Sequence, residues 1–596
     1  MKDPLSNENL ARYEVPGAPA DFASRVMERI ANEDVVAPRR RRWKWVAGIS
    51  SVAAAAVVVV MVSQRSGDAV HDDVFKYKVE RDTKHSLIRN EELVRKSDGK
   101  AEGWTANTLI AAQPAVMPGP RQVEPPAPNT EAYSRIDDNP FITTAAHPLS
   151  TFSVDVDTAS YANIRRFLLQ GKLPPKDAVR VEEMINYFDY DYPAPERGEP
   201  FSISTEIGPS PFNPKFQLVR IGLHTQRIDE AKVPPRNLVF LIDVSGSMNA
   251  PEKLPLLQHA LGMLVERLRP QDKVSIVIYA GASGVALRPT TGDHKDAIRA
   301  AINELTPGGS TNGADGIELA YNLAEASLIR GGINRVVLCT DGDFNVGVTN
   351  EGDLTRLIER ERTRGVYLTV LGFGMGNLKD ATMEKLADRG NGNYAYIDSL
   401  AEARKVLVEQ AGATLVTVAK DVKLQIELNP AAVAGYRLIG YENRALRDED
   451  FNDDKKDAGD VGAGHSVTAL YEIVPAGVAV PAAKVDALKY QTKPAPAANA
   501  GELMTVKIRY KSPDANQSKL LSRAVMSNER RPTQSVDFRW ATAIAAFGMM
   551  LRESPYRGNI SWKQIQAMAD AARGTDRNGH RAEAIGLIST ASTATR

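Results

Sequence analysis

The sequence predicts an α/β protein in which a doubly wound, mostly parallel sheet lies within, or is flanked by, a β-sandwich-like domain. Between residues 236 and 411, apolar runs of strand length alternate with amphipathic helices. This alternation is typical of a parallel sheet covered by helices on both faces. Strand-like segments lie on both sides, at 140–235 and 412–530, and residues 531–596 have the periodicity of helices.

The predicted elements follow from the period of the apolar residues. In the first flank we expect strands at 151–157, 201–207 and 216–224 and helices at 159–170 and 178–188. The central strands are expected at 238–242, 274–279, 336–339 and 366–372. In the second flank we expect strands near 422–428, 465–473 and 503–510, a Pro/Ala-rich loop at 475–500, and helices at 538–551, 562–573 and 581–590. The simplest hypothesis is one sandwich built from both flanks, with the central domain inserted into it.

Composition excludes several classes of protein. Lysine plus arginine and aspartate plus glutamate number 74 each, so the chain lacks the basic excess of a nucleic-acid-binding protein. Cys339 is the single cysteine, which excludes an intramolecular disulfide and a cysteine-rich zinc site. It is expected to be a packed thiol on a buried strand. The eight histidines are scattered, so the pattern of a zinc protease is not present.

A single transmembrane helix is predicted at residues 45–63. The window from Trp45 to Val62 carries no charge, and as a helix it spans about 27 Å, enough for the hydrocarbon core. Four arginines at 39–42 precede it, which by the positive-inside rule places residues 1–38 in the cytoplasm and the bulk of the chain on the opposite side of the membrane. The alternatives are a buried helix or a cleaved signal peptide. The dense positive cluster argues against the first, and the long preceding segment without a nearby small-residue cleavage site against the second.

The segments on either side of this span have different predicted roles. Residues 64–139 are rich in proline and alanine and are predicted to be a disordered tether. In the cytoplasmic tail, Phe22, Val26 and Ile30 share one helical stripe behind Asp21 as N-cap. This stripe is interpreted either as a docking helix for a partner or as a stub that leads into the membrane. The tail faintly resembles the pre-membrane segments of bacterial anti-sigma factors.

Oxygen-bearing side chains follow two of the predicted central strands and a glycine-rich loop. Asp243, Ser245 and Ser247 come directly after the first strand, and Asp341 ends another. Thr311 lies in the glycine-rich loop before a helix. The carboxyl ends of parallel strands form the crevice where ligands bind. Hydroxyl and carboxylate oxygens suit Mg²⁺ first, with Mn²⁺ or Ca²⁺ as alternatives.

This ordered set resembles the metal-ion-dependent adhesion site of von Willebrand factor type A domains, and it matches the family's motif at all five positions. The resemblance implies that Ser245, Ser247 and Thr311 coordinate a divalent cation directly or nearly so. Asp243 and Asp341 would act directly or through water. It also implies an open coordination position for an acidic side chain of a protein partner. The alternative is a Rossmann-like domain that kept the loops and lost the metal.

The flanks carry a second resemblance. The segments 150–161 and 180–187 are similar to the N-terminal flank of one group of bacterial membrane-associated type A proteins. The segments 436–444 and 450–457 are similar to that group's C-terminal domain, whose role is uncharacterised. The likeness extends from about residue 148 to the C-terminus. Members of the group are often lipoproteins, whereas a transmembrane helix is predicted here.

Other acidic residues have weaker interpretations. Asp155 and Asp157 could form a second cation site, but solvent-facing strand positions explain them better. The acidic segment 448–460 lacks the glycine and final glutamate of an EF-hand, so a solvated turn is favoured over a calcium loop. Asp343 either tunes the site beside Asp341 or caps a turn.

The function predicted from the sequence is binding rather than catalysis. The chain has no G-x-S-x-G elbow, Walker loop or H-E-x-x-H motif, so we expect no enzyme. The first hypothesis is an inner-membrane scaffold that captures a periplasmic protein through the cation. The alternative is a transmembrane regulator whose periplasmic domain senses a ligand and whose cytoplasmic tail contacts a partner.

Overall fold

The computed structural model describes residues 130–154, 157–309, 313–342, 351–410, 416–482, 501–513, 515 and 517–595. The predicted tail 1–38, the span 45–63, residues 64–129 of the tether, and Thr311, Asp155 and Asp343 lie outside these ranges. In the part of the chain that is described, none of the helices combines the length and the apolar character needed to cross a bilayer.

The first flank contains four strands and two helices. They are β1 (Ile142–Thr143), β2 (Leu149–Ser153), α1 (Ala159–Leu169), α2 (Val181–Asn186), β3 (Phe201–Pro209) and β4 (Gln217–Thr225). The strand predicted at 151–157 begins and ends earlier than expected, and the helix predicted at 178–188 is shorter. A single 3₁₀ turn, Lys176–Ala178, takes the start of the expected helix.

The central domain forms a six-stranded sheet with helices on both faces. Its elements are β5 (Arg236–Asp243), α3 (Leu254–Arg267), β6 (Lys273–Tyr279), β7 (Ser283–Thr291), α4 (Lys295–Asn303), α5 (Ala314–Ala326), β8 (Ile333–Thr340), α6 (Glu351–Thr363), β9 (Val366–Phe373), α7 (Asp380–Arg389), β10 (Tyr394–Ile397) and α8 (Leu400–Arg404). The strand order is β10-β9-β8-β5-β6-β7, and all neighbours are parallel except the edge strand β7. Helix residues such as Leu257 cover one face and residues such as Ile317 cover the other. The predicted doubly wound class is therefore confirmed.

The second flank supplies the remaining strands and the final helices. They are β11 (Thr417–Leu428), β12 (Val433–Ile439), β13 (Gly459–Gly462), β14 (Ser466–Pro475), β15 (Glu502–Lys511), β16 (Ser518–Met526), α9 (Val536–Leu551), α10 (Trp562–Ala571) and α11 (His580–Ala594). Helix α9 is apolar around most of its circumference, and it is buried accordingly. Trp540 and Phe547 on α9 pack with Tyr161 of α1 and Met184 of α2.

The two flanks together build one β-sandwich. One sheet has the order β1-β12-β14-β4-β3, and the other has the order β13-β11-β15-β16 with β2 paired to β11. Each sheet thus joins strands from both flanks, for example Phe152 opposite Leu424. Their inner faces share one apolar core, and Val233 packs with Val416 where the chain enters and leaves the central domain. The inserted arrangement predicted from the sequence is present.

The last residues assigned to the tether are packed against the folded body, so that boundary was wrong. Residues 130–139 were predicted to be disordered because they have no apolar period. Their order comes from polar contacts instead. Glu131 pairs with Arg166 of α1, Asp138 pairs with Arg552, and the Asn139 amide donates to the carbonyls of Leu438 and Gly440.

Candidate metal centre

Four of the five predicted site residues lie together at the carboxyl edge of the central sheet. Asp243 is the last residue of β5, and Asp341 follows the end of β8. These strands are neighbours in parallel register, with Ile242 opposite Cys339, so both carboxylates lie at the same edge. Both aspartates are fully buried. Adjacent parallel strands thus bring together residues that are far apart in the sequence.

The turn after β5 holds the serines beside Asp243. The Ser245 amide donates a 2.8 Å hydrogen bond to Asp243 Oδ1, and the Oγ atoms of Ser245 and Ser247 lie 3.0 Å apart. The glycine-rich loop is docked on this turn, since Gly308 N donates to Val244 O and Gly246 N donates to Gly309 O. The described start of this loop, Gly308 and Gly309, therefore lies beside the turn, and Thr311 lies outside the described residues.

One carboxylate oxygen in this cluster lacks a partner, and this favours a bound cation. Asp243 Oδ2 is buried and accepts no hydrogen bond of normal geometry from the described residues, although the Tyr279 hydroxyl lies near this carboxylate and acts to lower its pKa. Burial, together with the nearby Asp341 carboxylate, raises the pKa of Asp243 to about 6. An orphaned buried carboxylate is costly unless a proton or a cation compensates it. The donors present therefore fit a hard divalent cation held by Asp243, Ser245, Ser247 and Asp341.

Lys253 is a site residue that the sequence did not identify. Its side chain is buried, and Nζ donates a 2.8 Å hydrogen bond to Asp341 Oδ2 and a 3.3 Å bond to Asn377 Oδ1. Burial acts to raise the pKa of Asp341, but hydrogen bonds from Lys253 and Ser247 outweigh it and the pKa is lowered. Lys253 directly precedes α3, and it belongs to none of the sequence motifs that contribute the other site residues. Its role therefore could not be predicted from motif spacing.

The donor chemistry differs from that of a zinc or calcium cage. Throughout the described ranges there is no group of three or more histidine, cysteine, aspartate or glutamate side chains placed to hold a metal. The present cluster has two carboxylates and two hydroxyls. A cation bound by so few charged ligands keeps much of its positive charge and attracts a further anionic ligand.

Asp157 has a structural role that the solvent-facing interpretation missed. The residue is buried, its Oδ1 accepts a 2.8 Å hydrogen bond from Tyr394 N, and its Oδ2 lies 3.3 Å from Arg444. Asp157 lies between β2 and α1 in the sequence, and it contacts Tyr394 of the central domain and Arg444 of the second flank. It joins these two parts of the molecule, and its oxygens are used in doing so.

The acidic segment 448–460 is also more ordered than a solvated turn. Asp448 accepts a 2.8 Å hydrogen bond from Thr151, Asp450 is buried and bonded to Arg447, and Asp457 pairs with Arg362 at 2.6 Å. The solvated interpretation was therefore wrong for Asp450. Cys339 is buried, as expected for a packed thiol, and burial raises the pKa of its thiol.

Asp460 should make stability depend on pH. Its Oδ2 atom is buried without a hydrogen-bond partner among the described residues. Burial, reinforced by Asp421 and Asp457, raises its pKa from 3.8 to about 8. A raised folded-state pKa contributes stability below pH 3.8 that is lost as the pH rises through 8. We expect Asp460→Asn to remove this loss of stability. The midpoint of unfolding of the variant minus that of wild type should therefore become more positive as the pH is raised from 5 to 9.

Asp454→Asn is the matched control for this measurement. A hydrogen bond from Ser518 lowers the pKa of Asp454, so its charge does not change between pH 5 and pH 9. The midpoint difference between this variant and wild type should stay constant over that range. A constant difference for Asp460→Asn as well would contradict the assignment.

Comparisons with known proteins agree with the architecture. The model of the von Willebrand factor type A domain matches residues 237–410, and a von Willebrand factor model matches residues 127–220. The model described as "Uncharacterized protein YfbK, C-terminal" matches residues 413–594. The chain is 47% identical over 470 residues to "Uncharacterized protein YfbK" of Escherichia coli, covering 77% of this chain and 81% of that protein.

Other similar proteins are more distant. The human "Inter-alpha-trypsin inhibitor heavy chain H4" is 32% identical over 162 residues, covering 26% of this chain and 17% of that protein. Among solved structures, "von Willebrand factor type A from Catenulispora acidiphila" is 14% identical with a TM-score of 0.38, covering 63% of this chain and 87% of that one.

Proposed function

Because the chain belongs to the family of bacterial von Willebrand factor type A proteins that includes YfbK of Escherichia coli, we propose that it is a membrane-anchored scaffold that captures a protein partner in the periplasm. Type A domains mediate protein–protein interactions. Capture would occur through a divalent cation, Mg²⁺ first, at the cluster of Asp243, Ser245, Ser247, Thr311 and Asp341. The observation that carries the proposal is the orphaned, buried Oδ2 of Asp243 beside the serine pair.

The charges at the site indicate what the partner offers. The two carboxylates and Lys253 together carry one net negative charge, so a bound divalent cation leaves the cluster positive. The Ser247 side of the cluster is exposed, whereas Asp243 and Asp341 are buried beneath it. A carboxylate from a partner protein could therefore approach the cation from solvent and neutralise it. An acidic side chain is the ligand that this arrangement favours.

The anchor and the compartment are proposed from the sequence. The uncharged window 45–62 behind four arginines supports a single span with a cytoplasmic N-terminus. Residues 64–129 would then connect that span to the folded body. Such a connection would leave the cation site free to meet partners in the periplasm.

A non-catalytic role is part of the same proposal. In the described structure Ser245 and Ser247 hydrogen-bond with each other and lie beside two aspartates, without a histidine base among their hydrogen-bond partners. A nucleophile needs an oriented base to be activated. Hydrolytic turnover that persists in Asp243→Ala would contradict this role.

The test is affinity capture with the full chain in detergent. The bait is incubated with solubilised native membranes and periplasm in Mg²⁺ and in EDTA, and Asp243→Ala is tested in Mg²⁺. We expect a specific protein to be retained only by the wild type in Mg²⁺. Asp272→Ala is the control, because Asp272 is a fully buried carboxylate that precedes β6 at the opposite edge of the same sheet.

The control separates loss of the site from loss of stability. Asp272→Ala removes hydrogen bonds to Arg236 and Arg269 and is expected to destabilise the domain while retaining capture in Mg²⁺. Equal capture by the wild type in Mg²⁺ and in EDTA would exclude a cation bridge between the two proteins. The β-sandwich would then be the next candidate for the binding surface.

A further inference from the structure

The N-terminal strap, which we define as residues Thr130–Tyr133, is paired with a loop of the central domain. Thr130 N donates a 2.7 Å hydrogen bond to Gly376 O, and Ala132 N donates a 3.0 Å bond to Leu378 O. Ala132 also forms a parallel bridge with Lys379. The strap thus adds a short strand-like segment to residues 374–379, which we call the site loop.

A buried ion pair fixes the strap in this position. Arg166 of α1 binds both carboxylate oxygens of Glu131, at 2.7 and 2.9 Å, and the two side chains are only 9% and 4% exposed. The same Glu131 carboxylate accepts a 2.8 Å hydrogen bond from Gly376 N. Asn163 holds the Arg166 guanidinium from the other side. Glu131 therefore joins the site loop to helix α1.

The site loop in turn touches the candidate metal centre at two points. Asn377 Oδ1 accepts a hydrogen bond from Lys253 Nζ, and Gly374, at φ +70°, lies so close to Lys253 that a Cβ would be 2.2 Å from its Cε atom. Gly342, directly after Asp341, is equally tight, since a Cβ there would lie 2.5 Å from Asn377 O and 2.7 Å from Leu378 Cα. Close-packed contacts of this kind transmit displacement, because neither side can yield without a clash.

We propose that the strap positions the cation site, with Glu131 and Arg166 as positioning residues that act through the site loop on the Asp341 turn. The proposal deepens the proposed function and rests on it. Residues that orient metal ligands typically contribute 10- to 100-fold to metal affinity. By reciprocity, cation binding stabilises the strap.

The test compares two carboxylates of the same N-terminal segment in the full chain in detergent. Glu131→Ala removes the contact with the site loop. Asp138→Ala removes a comparable buried pair, Asp138 with Arg552 at 2.9 Å, which does not involve that loop. The first readout is hydrogen exchange of peptide 374–379 in the metal-free proteins. The second is Mg²⁺ affinity by calorimetry. We expect Glu131→Ala alone to speed exchange and to weaken Mg²⁺ binding by about 10- to 100-fold.

The outcomes separate this inference from the function on which it rests. A wild-type chain that binds no Mg²⁺ would overturn the proposed function and the positioning role together. A wild type that binds Mg²⁺ while Glu131→Ala binds it within twofold as tightly would overturn the positioning role alone. Equal weakening by Glu131→Ala and Asp138→Ala would also overturn it, because the effect would then be one of general stability.

Discussion

Replacing Arg165 with methionine is expected to lower the free energy of unfolding by about 3–5 kcal/mol, the typical cost of removing one partner from a buried ion pair. The Arg165 side chain is 3% exposed and pairs with Asp398 and Glu402 of the central domain and with Glu583 of α11. Methionine keeps much of the volume but leaves the buried Asp398 carboxylate without its cation and leaves Glu402 with Lys405 alone. Since Arg165 lies on α1, the substitution weakens the junction of three parts of the molecule at once.

Arg299→Met is the control for this prediction. Arg299 also pairs with two carboxylates, Glu266 and Asp296, but its side chain is 37% exposed and theirs are more so. Exposed pairs contribute about 0–1 kcal/mol because solvent screens them. Urea denaturation followed by circular dichroism should therefore separate the two variants by several kcal/mol. Similar small losses in both would show that the Arg165 network adds little to stability.

The alternating strands and helices of the central domain could be predicted because each element has a recognisable local pattern of apolar residues. Apolar strands such as β5 and β8, separated by amphipathic helices, predict a parallel sheet wherever they occur. The sandwich required one further step, namely that two β-rich flanks bury each other. The pairing of Phe152 with Leu424 could not be predicted. The period of a strand determines which of its faces is buried, but it does not determine which other strand pairs with it.

The polar junctions escaped prediction for a physical reason. Residues 130–139 have no apolar period, so they resemble the tether that precedes them. They are ordered by ion pairs and main-chain hydrogen bonds with segments far away in the sequence, such as Glu131 with Arg166. At the site, parallel register explains why Asp243 and Asp341 meet. Lys253 and Asn377 lie in loops beside the cluster. The conformation of such loops cannot be predicted from the periodicity of apolar residues.

Lys253→Met is expected to change stability and cation affinity in opposite directions. In the metal-free protein the Lys253 ammonium lies 2.8 Å from a fully buried Asp341 oxygen. Its removal should lower the free energy of unfolding by about 3–5 kcal/mol. The same ammonium repels a divalent cation held by Asp341. Its removal should therefore tighten Mg²⁺ binding, by about tenfold if the repulsion is screened as in water.

Thermal unfolding with and without Mg²⁺ measures both effects in one experiment. Lys253→Met should unfold at a lower temperature than wild type without the cation and should gain more stability than wild type when Mg²⁺ is added, because a tighter ligand stabilises the native state further. Lys295→Met serves as the control, since Lys295 is a half-buried cation at the start of α4 whose hydrogen bond to Glu266 O lies at the surface, and its loss should change neither value. A Lys253→Met chain that loses stability and also loses its response to Mg²⁺ would instead make Lys253 a support on which the cation ligands depend. The sign of the Mg²⁺ response therefore decides whether the ammonium competes with the cation or holds Asp341 in place for it.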